Sequence, residues 1–306
     1  MIGALLRGVL AGAILSGTPL LYATLGEVIV ERSGIVNLGL EGILLIGASV
    51  AFAVASATGS AYLGVLAAAV ACGIAMLLFG YLVVGRRANQ LASGLALMLF
   101  GTGVSAVVGK SFVGGIISGL PKYRIPWLSD LAWVKASTLL NWDLLVYLAV
   151  PVAVFCWWLL FRTRWGLGVR AAGESPTAAF AAGRRPELSQ YQALFMGGLL
   201  GGVAGAQISV SLTMTWNEGM TSGRGFIAIA LVIFSKWHPL RAMAGALVFG
   251  GAEALQLQLQ ARGAQVSPFL LDMLPYLLTL AVLIAWGGAR RTAAPAMLGR
   301  TFYGTE

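Results

Sequence analysis

Apolar runs about 20 residues long recur along almost the whole chain, and short polar or basic connections separate them. A helix of about 20 residues crosses the roughly 30 Å hydrocarbon core of a bilayer. The pattern predicts nine apolar spans, at 3–25, 35–57, 61–84, 91–112, 142–161, 189–211, 225–236, 240–259 and 270–288. The seventh is too short to cross as an ordinary helix. We therefore predict an all-α, polytopic integral membrane bundle of about nine spans with discontinuous or re-entrant segments.

The composition agrees with a membrane protein. Of the 306 residues, 58% are hydrophobic and only 10% are charged, and the mean hydropathy is +0.86. A soluble domain carries about 25% charged residues. Because no stretch is polar enough to form such a domain, residues 1–306 are predicted to form a single transmembrane domain. The net charge of +9 does not indicate nucleic-acid binding, since the basic residues are confined to short segments between apolar runs.

Lysine and arginine are distributed unequally between the two sides of the predicted bundle. One side carries 13 of the 20, namely Arg32, Arg86, Arg87, Arg162, Arg164, Arg170, Arg184, Arg185, Lys236, Arg241, Arg290, Arg291 and Arg300. The positive-inside rule makes this side cytoplasmic. The N-terminus is then outside and the C-terminus cytoplasmic, provided that the short seventh segment returns the chain to the cytoplasm.

The long external connection, residues 110–141, mixes aromatic and charged residues. Tyr123, Pro126, Trp127 and Trp133 lie within it. Aromatic side chains in such a position are typical of the belt at a membrane–water interface. We predict an interfacial lid with amphipathic pieces.

Small residues repeat every fourth position in two of the spans. In a bilayer, small residues allow helix backbones to approach closely. We therefore predict tight helix packing along three rows: Gly197, Gly201 and Gly205; Gly198, Gly202 and Ala206; and Ala242, Ala246, Gly250 and Ala254.

Polar residues interrupt the apolar pattern first at residues 26–42. Glu27, Glu31, Asn37 and Glu41 lie at the junction of two spans or just inside the second. A carboxylate inside the membrane costs about 2.5–3.5 kcal/mol, so it must pair, face a wet cavity or lie near the interface. Two interpretations remain open: a discontinuous helix that lines a cavity, and an interfacial cap in which Glu31 pairs with Arg32.

The second interruption is the cytoplasmic connection at about 162–188. Its centre predicts one short helix, because Ser175 suits the N-cap, Pro176 suits the first helical position and Gly183 suits the end. An alanine-faced helix with few charges, flanked by arginines, is a good docking element. The alternative is an ordinary basic loop with one helical turn.

The third interruption covers residues 213–241. A polar, flexible stretch reaches Gly225, and a short apolar helix follows from Phe226 to Phe234. Such a short segment between glycine and proline is typical of a half-helix or re-entrant element. His238 follows in a turn and is predicted to be a surface residue rather than a ligand or proton relay.

Enzyme chemistry has little support in the sequence. There is no complete Walker motif, so any ATP must be hydrolysed by another chain. There is no metal-ligand cluster and no nucleophile–histidine–acid set. Cys72 and Cys156 lie within apolar runs, which predicts small buried side chains rather than a disulfide or a metal site. We expect no catalytic residue, no metal and no cofactor of the chain's own.

The three interruptions together resemble the ABC permeases of the branched-chain amino acid, simple sugar and nucleoside type, and the wording is most similar to the nucleoside branch. The first motif is Gly26-Glu27 through Glu31-Arg32-Ser33-Gly34, with Asn37-Leu38-Gly39-Leu40-Glu41-Gly42. The second is Gly166-Leu167-Gly168-Val169-Arg170-Ala171-Ala172-Gly173-Glu174, with Ala178-Ala179 before Gly183. The third is Gly223-Arg224-Gly225-Phe226-Ile227-Ala228-Ile229-Ala230. The chain departs from the family at Arg184-Arg185-Pro186, where more apolar residues are usual.

This resemblance implies an importer in the bacterial plasma (inner) membrane that works by alternating access. It implies three partners besides membrane lipid: an ATP-binding subunit that holds the ATP, a paralogous second permease, and an external substrate-binding lipoprotein or periplasmic protein. Nucleic acid is not among the partners. It implies coupling to the ATPase through Arg170, Glu174, Ser175, Pro176, Ala178, Ala179, Phe180 and Gly183. Our candidates for the translocation path are Asn37, Glu41, Gly223, Arg224 and Phe226.

Other functions remain open at this point. The substrate is predicted to be a nucleoside or simple sugar, with branched-chain amino acids as the alternative. A proton-coupled secondary transporter would use Glu27, Glu31, Glu41 and Glu253 as proton sites. A membrane-embedded assembly subunit without a path of its own is a third hypothesis.

Overall fold

A computed structural model of the chain describes residues 2–124, 141–262, 267, 270, 273–287 and 294–300. The fold is mostly helical. The long helices are α1 (Ile2–Arg32), α2 (Leu40–Thr58), α3 (Ala61–Gly80), α4 (Gln90–Gly109), α5 (Leu144–Arg162), α8 (Pro186–Gln207) and α10 (Pro239–Ala261). The shorter ones are α6 (Arg164–Glu174), α7 (Pro176–Ala181), α9 (Arg224–Phe234) and α11 (Leu274–Gly287). Single irregular turns extend α3 (Tyr81–Gly85), α4 (Lys110–Phe112) and α8 (Ile208–Leu212).

Six helical segments in the described part of the chain are long and apolar enough to cross a membrane. They are Leu6–Arg32, Leu40–Thr58, Ala61–Gly85, Gln90–Phe112, Leu144–Arg162 and Pro186–Leu212. They correspond to the first six predicted spans. Helix α9 has 11 residues and is short, as predicted. The predicted count of nine is not confirmed, because α10 is long but carries polar residues, including Arg241 and Glu253.

The first helix is longer than predicted. It continues past position 25 to Arg32, so Glu27 and Glu31 lie in its last two turns and not at the junction. Gly26 does not end it, because this glycine serves as a contact point: a Cβ there would lie 2.8 Å from the carbonyl oxygen of Gly197. Helix α1 packs along both α8 and α10 and forms the centre of the bundle.

The rows of small residues pack helices together, which confirms that prediction. On α8, a Cβ at Gly201 would lie 2.9 Å from Ile43 of α2, and a Cβ at Gly198 would lie 2.5 Å from the Cys72 carbonyl oxygen of α3. The two rows of α8 therefore hold different neighbours. On α10, the third row faces α1, where a Cβ at Gly17 would lie 2.7 Å from the Ala246 carbonyl oxygen. Cys72 and Cys156 are buried free thiols, as predicted.

A short antiparallel ladder was not predicted. Strand β1 (Lys122–Arg124) pairs with β2 (Asn141–Asp143). The Tyr62 and Tyr123 hydroxyl groups are 2.9 Å apart, which ties this ladder to the start of α3. The predicted lid residues Pro126, Trp127 and Trp133 lie outside the described residues.

The contrast between Gly202 and Gly103 allows a test of backbone packing. A Cβ at Gly202 would lie 2.8 Å from the Ala69 Cα, whereas a Cβ at Gly103 meets nothing within 4 Å. We expect Gly202→Ala to lower the melting temperature of the detergent-solubilised protein, because overpacking costs about 1–3 kcal/mol. Gly103→Ala is the matched control and should melt at or above the wild-type temperature. Equal melting of both variants would contradict this account of α8.

Candidate functional site

The carboxylate of Glu41 lies at the start of the half-helix α9. It accepts hydrogen bonds from the Thr221 hydroxyl at 2.5 Å, from the Gly223 amide at 2.8 Å and from the Gly225 amide at 2.6 Å. The side chain is 8% exposed. Amide groups at a helix N-terminus lack partners within the helix and favour negative charge. One carboxylate from α2 therefore satisfies the N-terminus of α9.

Two glycines make this arrangement possible. Gly223 adopts φ +79°, a left-handed conformation that costs glycine little. Gly225 lies directly against α2, because a Cβ there would lie 2.5 Å from both the backbone nitrogen and the Cα of Glu41. The Gly-Arg-Gly sequence thus turns the chain and brings α9 onto Glu41. These contacts bring the predicted residues Glu41 and Gly223 together.

Asn37 shapes the elbow at residues 33–39, which joins α1 to α2. Its side-chain oxygen accepts a hydrogen bond from the Gly39 amide at 2.9 Å, and its nitrogen lies 3.3 Å from Glu27 Oε2. Asn37 is 1% exposed, so it is buried among protein groups. The other oxygen of Glu27, Oε1, has no hydrogen-bond partner among the described residues. The predicted break between the spans is confirmed, and it is a buried elbow.

Glu31 and Arg32 do not pair in the way that the cap interpretation proposed. The Glu31 carboxylate accepts a hydrogen bond from the Trp237 indole at 2.5 Å, and Arg32 Nε donates to the Trp237 carbonyl at 3.0 Å. Both side chains therefore fix the turn after α9. The sequence did not predict that Trp237 would contact Glu31, because the two residues are 206 positions apart and no local pattern links them.

His238 is less exposed than predicted. It stacks on Phe161, with ring centroids 5.2 Å apart. Burial lowers the pKa of His238, and the nearby charges of Arg241 and Arg32 lower it further. The imidazole is therefore an uncharged packing group at neutral pH.

Arg224, the first residue of α9, points into a second polar region. It forms an ion pair with Glu253 of α10. Tyr276 of α11 donates a hydrogen bond to the Ser222 carbonyl at 3.1 Å beside this pair. The residues border a cavity of about 360 Å³. Phe226, another predicted path residue, is 44% exposed on α9 and does not line this cavity.

The predicted helix in the 162–188 connection is present as α7. The Ser175 hydroxyl accepts a hydrogen bond from the Ala178 amide at 3.3 Å, Pro176 begins the helix, and Gly183 follows it with φ +74°. Ala178 and Phe180 are exposed, whereas Pro176 and Ala179 are buried. Ala178 and Phe180 therefore lie on the exposed side of α7, while Ala179 packs inward.

Arg170 and Glu174, the other two predicted coupling residues, lie on α6 and contact this same end of the bundle. Arg170 Nε donates to the Leu160 carbonyl at 3.0 Å, and its guanidinium lies 5.1 Å from the centre of the Phe161 ring. Glu174 accepts a hydrogen bond from the Ala296 amide at 3.2 Å. Both therefore help to fix α6, the helix on which α7 is mounted.

The C-terminal end of α6 packs directly against the elbow. A Cβ at Gly34 would lie 3.2 Å from the Gly173 Cα, so the two backbones touch. Residues 294–300 cross over this contact: the Met297 amide donates to the Gly173 carbonyl at 2.9 Å, and the Gly299 amide donates to the Gly34 carbonyl at 3.2 Å. Contacts thus run from α7 through α6 and the elbow to Glu41 and α9. All three predicted motifs meet along this line.

The apolar helices, the buried elbow and the half-helix define a multi-pass membrane protein. Residues 9–284 match the profile of the family described as branched-chain amino acid transport system / permease component. The chain belongs to this family, which confirms the resemblance found in the three motifs. No solved structure is significantly similar to it.

Three relatives are similar over nearly their full lengths. TsgC13 of Haloferax volcanii, provisionally named a glucose ABC transporter permease protein, is 36% identical over 301 residues, 90% of each chain. The guanosine ABC transporter permease protein NupQ of Bacillus subtilis is 31% identical over 304 residues, 95% of each chain. The nucleoside ABC transporter permease protein NupC of Lactococcus lactis is 31% identical over 300 residues, which cover 92% of this chain and 93% of NupC. These relatives are transporter permease proteins, and their names indicate no catalytic activity.

Replacing Glu41 tests the junction between α2 and α9. Glu41→Ala removes three hydrogen bonds to a buried carboxylate, each of which contributes about 1.5–3 kcal/mol. We expect this variant to lower the melting temperature of the purified protein strongly, and Glu41→Gln to lower it less, because an amide keeps one acceptor. Glu218→Ala, in the exposed part of the preceding loop, is the control. A wild-type melting temperature for Glu41→Ala would show that the carboxylate does not hold α9.

Proposed function

We propose that this chain is the transmembrane permease subunit of an ABC importer that moves a nucleoside or simple sugar into the cytoplasm. ATP hydrolysis on separate subunits drives alternating access. The observation that carries the proposal is the unbroken line of contacts from α7, through Gly173 and Gly34, to Glu41 and α9. A displacement of α7 is passed along this line to a half-helix inside the bundle.

Close backbone packing makes this line a mechanical connection. Packed cores and interfaces adopt discrete arrangements rather than deforming continuously. Gly173 cannot move toward the elbow, because even a Cβ at that position would overlap the Arg32 carbonyl oxygen. A tilt of α6 therefore displaces the elbow, and Glu41 carries α9 with it.

Three of the four carboxylates that a proton-coupled transporter would use already hold elements of the bundle together. Glu41 accepts three hydrogen bonds at the start of α9, Glu31 accepts one from Trp237, and Glu253 pairs with Arg224. These contacts give the three carboxylates a structural role, which favours the importer over the proton-coupled transporter.

The substrate class is taken from the relatives. Their names specify a nucleoside, guanosine and glucose, and each relative matches 90% or more of this chain. The family as a whole is described by branched-chain amino acids, which remain the alternative substrate. Neutral, hydroxyl-bearing solutes are the class that the named relatives share.

The proposed assembly places the chain in the plasma membrane with α7 facing the cytoplasm. Its partners are an ATP-binding subunit, a paralogous second permease and an external substrate-binding lipoprotein or periplasmic protein. The unequal distribution of arginine supports this orientation. With α7 inside, the N-terminus is outside and the C-terminus is cytoplasmic.

Charge placed on the exposed face of α7 tests coupling. Ala178→Glu and Phe180→Glu should each reduce ATP-driven uptake at least tenfold and reduce the amount of ATP-binding subunit that co-purifies. Both side chains are exposed, so the melting temperature should stay near the wild-type value. Ala178→Ser is the matched control and should transport normally. Wild-type uptake by the two glutamate variants would refute the role of α7, whereas a chain that transports without any ATPase partner would refute the importer assignment.

A further inference from the structure

The ion pair between Arg224 and Glu253 lies inside a cavity rather than at the surface. The two side chains are 14% and 21% exposed. The cavity has a volume of about 360 Å³, and binding sites for small molecules have volumes of about 300–1,000 Å³. Its lining residues come from four helices and the loop before α9: Leu20, Ser222, Arg224, Ile227, Phe249, Glu253, Gln256, Leu257 and Tyr276.

The cavity lies at the start of α9, and two of its lining side chains, Leu257 and Tyr276, are exposed. Helix α9 begins at Arg224 and ends at Phe234, one residue before the turn that holds Lys236 and His238. Its 11 residues span about 16 Å, since a helix rises 1.5 Å per residue. Arg224 is therefore about half of a 30 Å hydrocarbon core away from that end. Charges at this depth are costly, and they usually mark a substrate pathway.

The polar groups of the pair retain binding capacity. Arg224 donates from Nη2 to Glu253 and from Nη1 to the Met220 carbonyl at 3.4 Å. Its Nε atom is buried without a hydrogen-bond partner among the described residues. A carboxylate offers about four acceptor positions, and Glu253 pairs with Arg224 through Oε1. Donors and acceptors are thus available side by side.

Part of the cavity lining is apolar. Leu20 of α1, Ile227 of α9 and Phe249 of α10 contribute to it. A flat or ring-shaped solute buries its faces on such side chains, and its polar edge reaches the ion pair. The cavity therefore offers both apolar and polar groups to a ring compound.

We propose that this cavity binds the transported solute through a pair of adjacent hydroxyl groups. The hydroxyl groups donate to Glu253 and accept from Arg224, while the ring of the solute packs against Phe249 and Leu20. This inference rests on the proposed function and specifies the part of the solute that is recognised. Ribose in nucleosides and the ring of simple sugars both carry such hydroxyl pairs.

A neutral diol fits the pair better than an amino acid does. An amino acid would place its carboxylate on Arg224 and its ammonium group on Glu253, so it would have to separate two charges that contact each other directly. Hydroxyl groups bind the outer positions of both groups without breaking their contact. The ion pair has no net charge, so it gives no net attraction to a solute that carries a net charge.

The test measures both binding and uptake with the complete transporter. The probes are guanosine with its 2′,3′-dideoxy analogue, glucose with 2,4-dideoxyglucose, which has no adjacent ring hydroxyl groups, and leucine. For a hydroxyl-bearing probe that the wild type transports, we expect Glu253→Gln to weaken binding, measured by the ligand-induced rise in melting temperature, at least tenfold. Binding of the analogue that lacks the hydroxyl should change less than twofold, because a site that binds a hydroxyl group discriminates through that contact. Glu218→Gln is the matched control and should bind both probes as the wild type does.

A second variant separates a binding role from a structural one. The exchange Arg224→Glu with Glu253→Arg keeps an ion pair in the same place but reverses its direction. We expect it to melt near the wild-type temperature and to lose selectivity for the hydroxyl pair. Restoration of normal binding by the exchange, or equal losses for both members of a probe pair in Glu253→Gln, would assign the pair a structural role only.

The outcomes also distinguish this inference from the proposed function. Wild-type uptake of guanosine or glucose, with Glu253→Gln equal to the wild type, overturns the site and leaves the importer assignment intact. Binding of leucine alone overturns the proposed substrate class together with the diol site. Absence of ATP-driven uptake of every probe by the wild type argues against the proposed function itself.

Discussion

The carboxylate of Glu41 joins two parts of the chain that are 180–184 residues apart. Without it, the N-terminus of α9 would leave amide groups unsatisfied inside a membrane protein, where water is not available to replace the bond. An 11-residue helix cannot cross a bilayer by itself. Its position therefore depends on a contact at its start, and the turn bound by Glu31 and Arg32 fixes its end.

Close approach of backbones is the second constraint on the bundle. Helix α8 lies between α1, α2 and α3 because two rows of small residues leave no side chain in the way. The same device recurs where Gly34 meets Gly173 and where Gly225 meets Glu41. Lipid tails are as apolar as leucine, so the hydrophobic effect does little to hold helices together in a membrane. Contact between backbones, together with a few buried polar bonds, takes its place.

Features with a local cause could be predicted from the sequence. The α7 helix was predicted because its N-cap, first residue and terminating glycine lie within nine positions, and the small-residue rows were predicted because they repeat every fourth residue. The end of α1 was not, since Gly26 looks like a break until its contact with α8 is known. The hydrogen bonds from Thr221 to Glu41 and from Trp237 to Glu31 were missed for a similar reason. No spacing rule connects residues so far apart in the sequence.

The segment at 294–300 has a consequence for the order of assembly. A ribosome makes these residues after all of the described helices. The carbonyl groups of Gly34 and Gly173 therefore lack these hydrogen-bond donors until residues 294–300 have been made. Gln90 also receives its contact with the Arg300 carbonyl only then. The elbow is thus completed after the described helices, because residues 294–300 follow all of them in the chain. The contact between α6 and the elbow therefore depends on a segment that is made later than either of them.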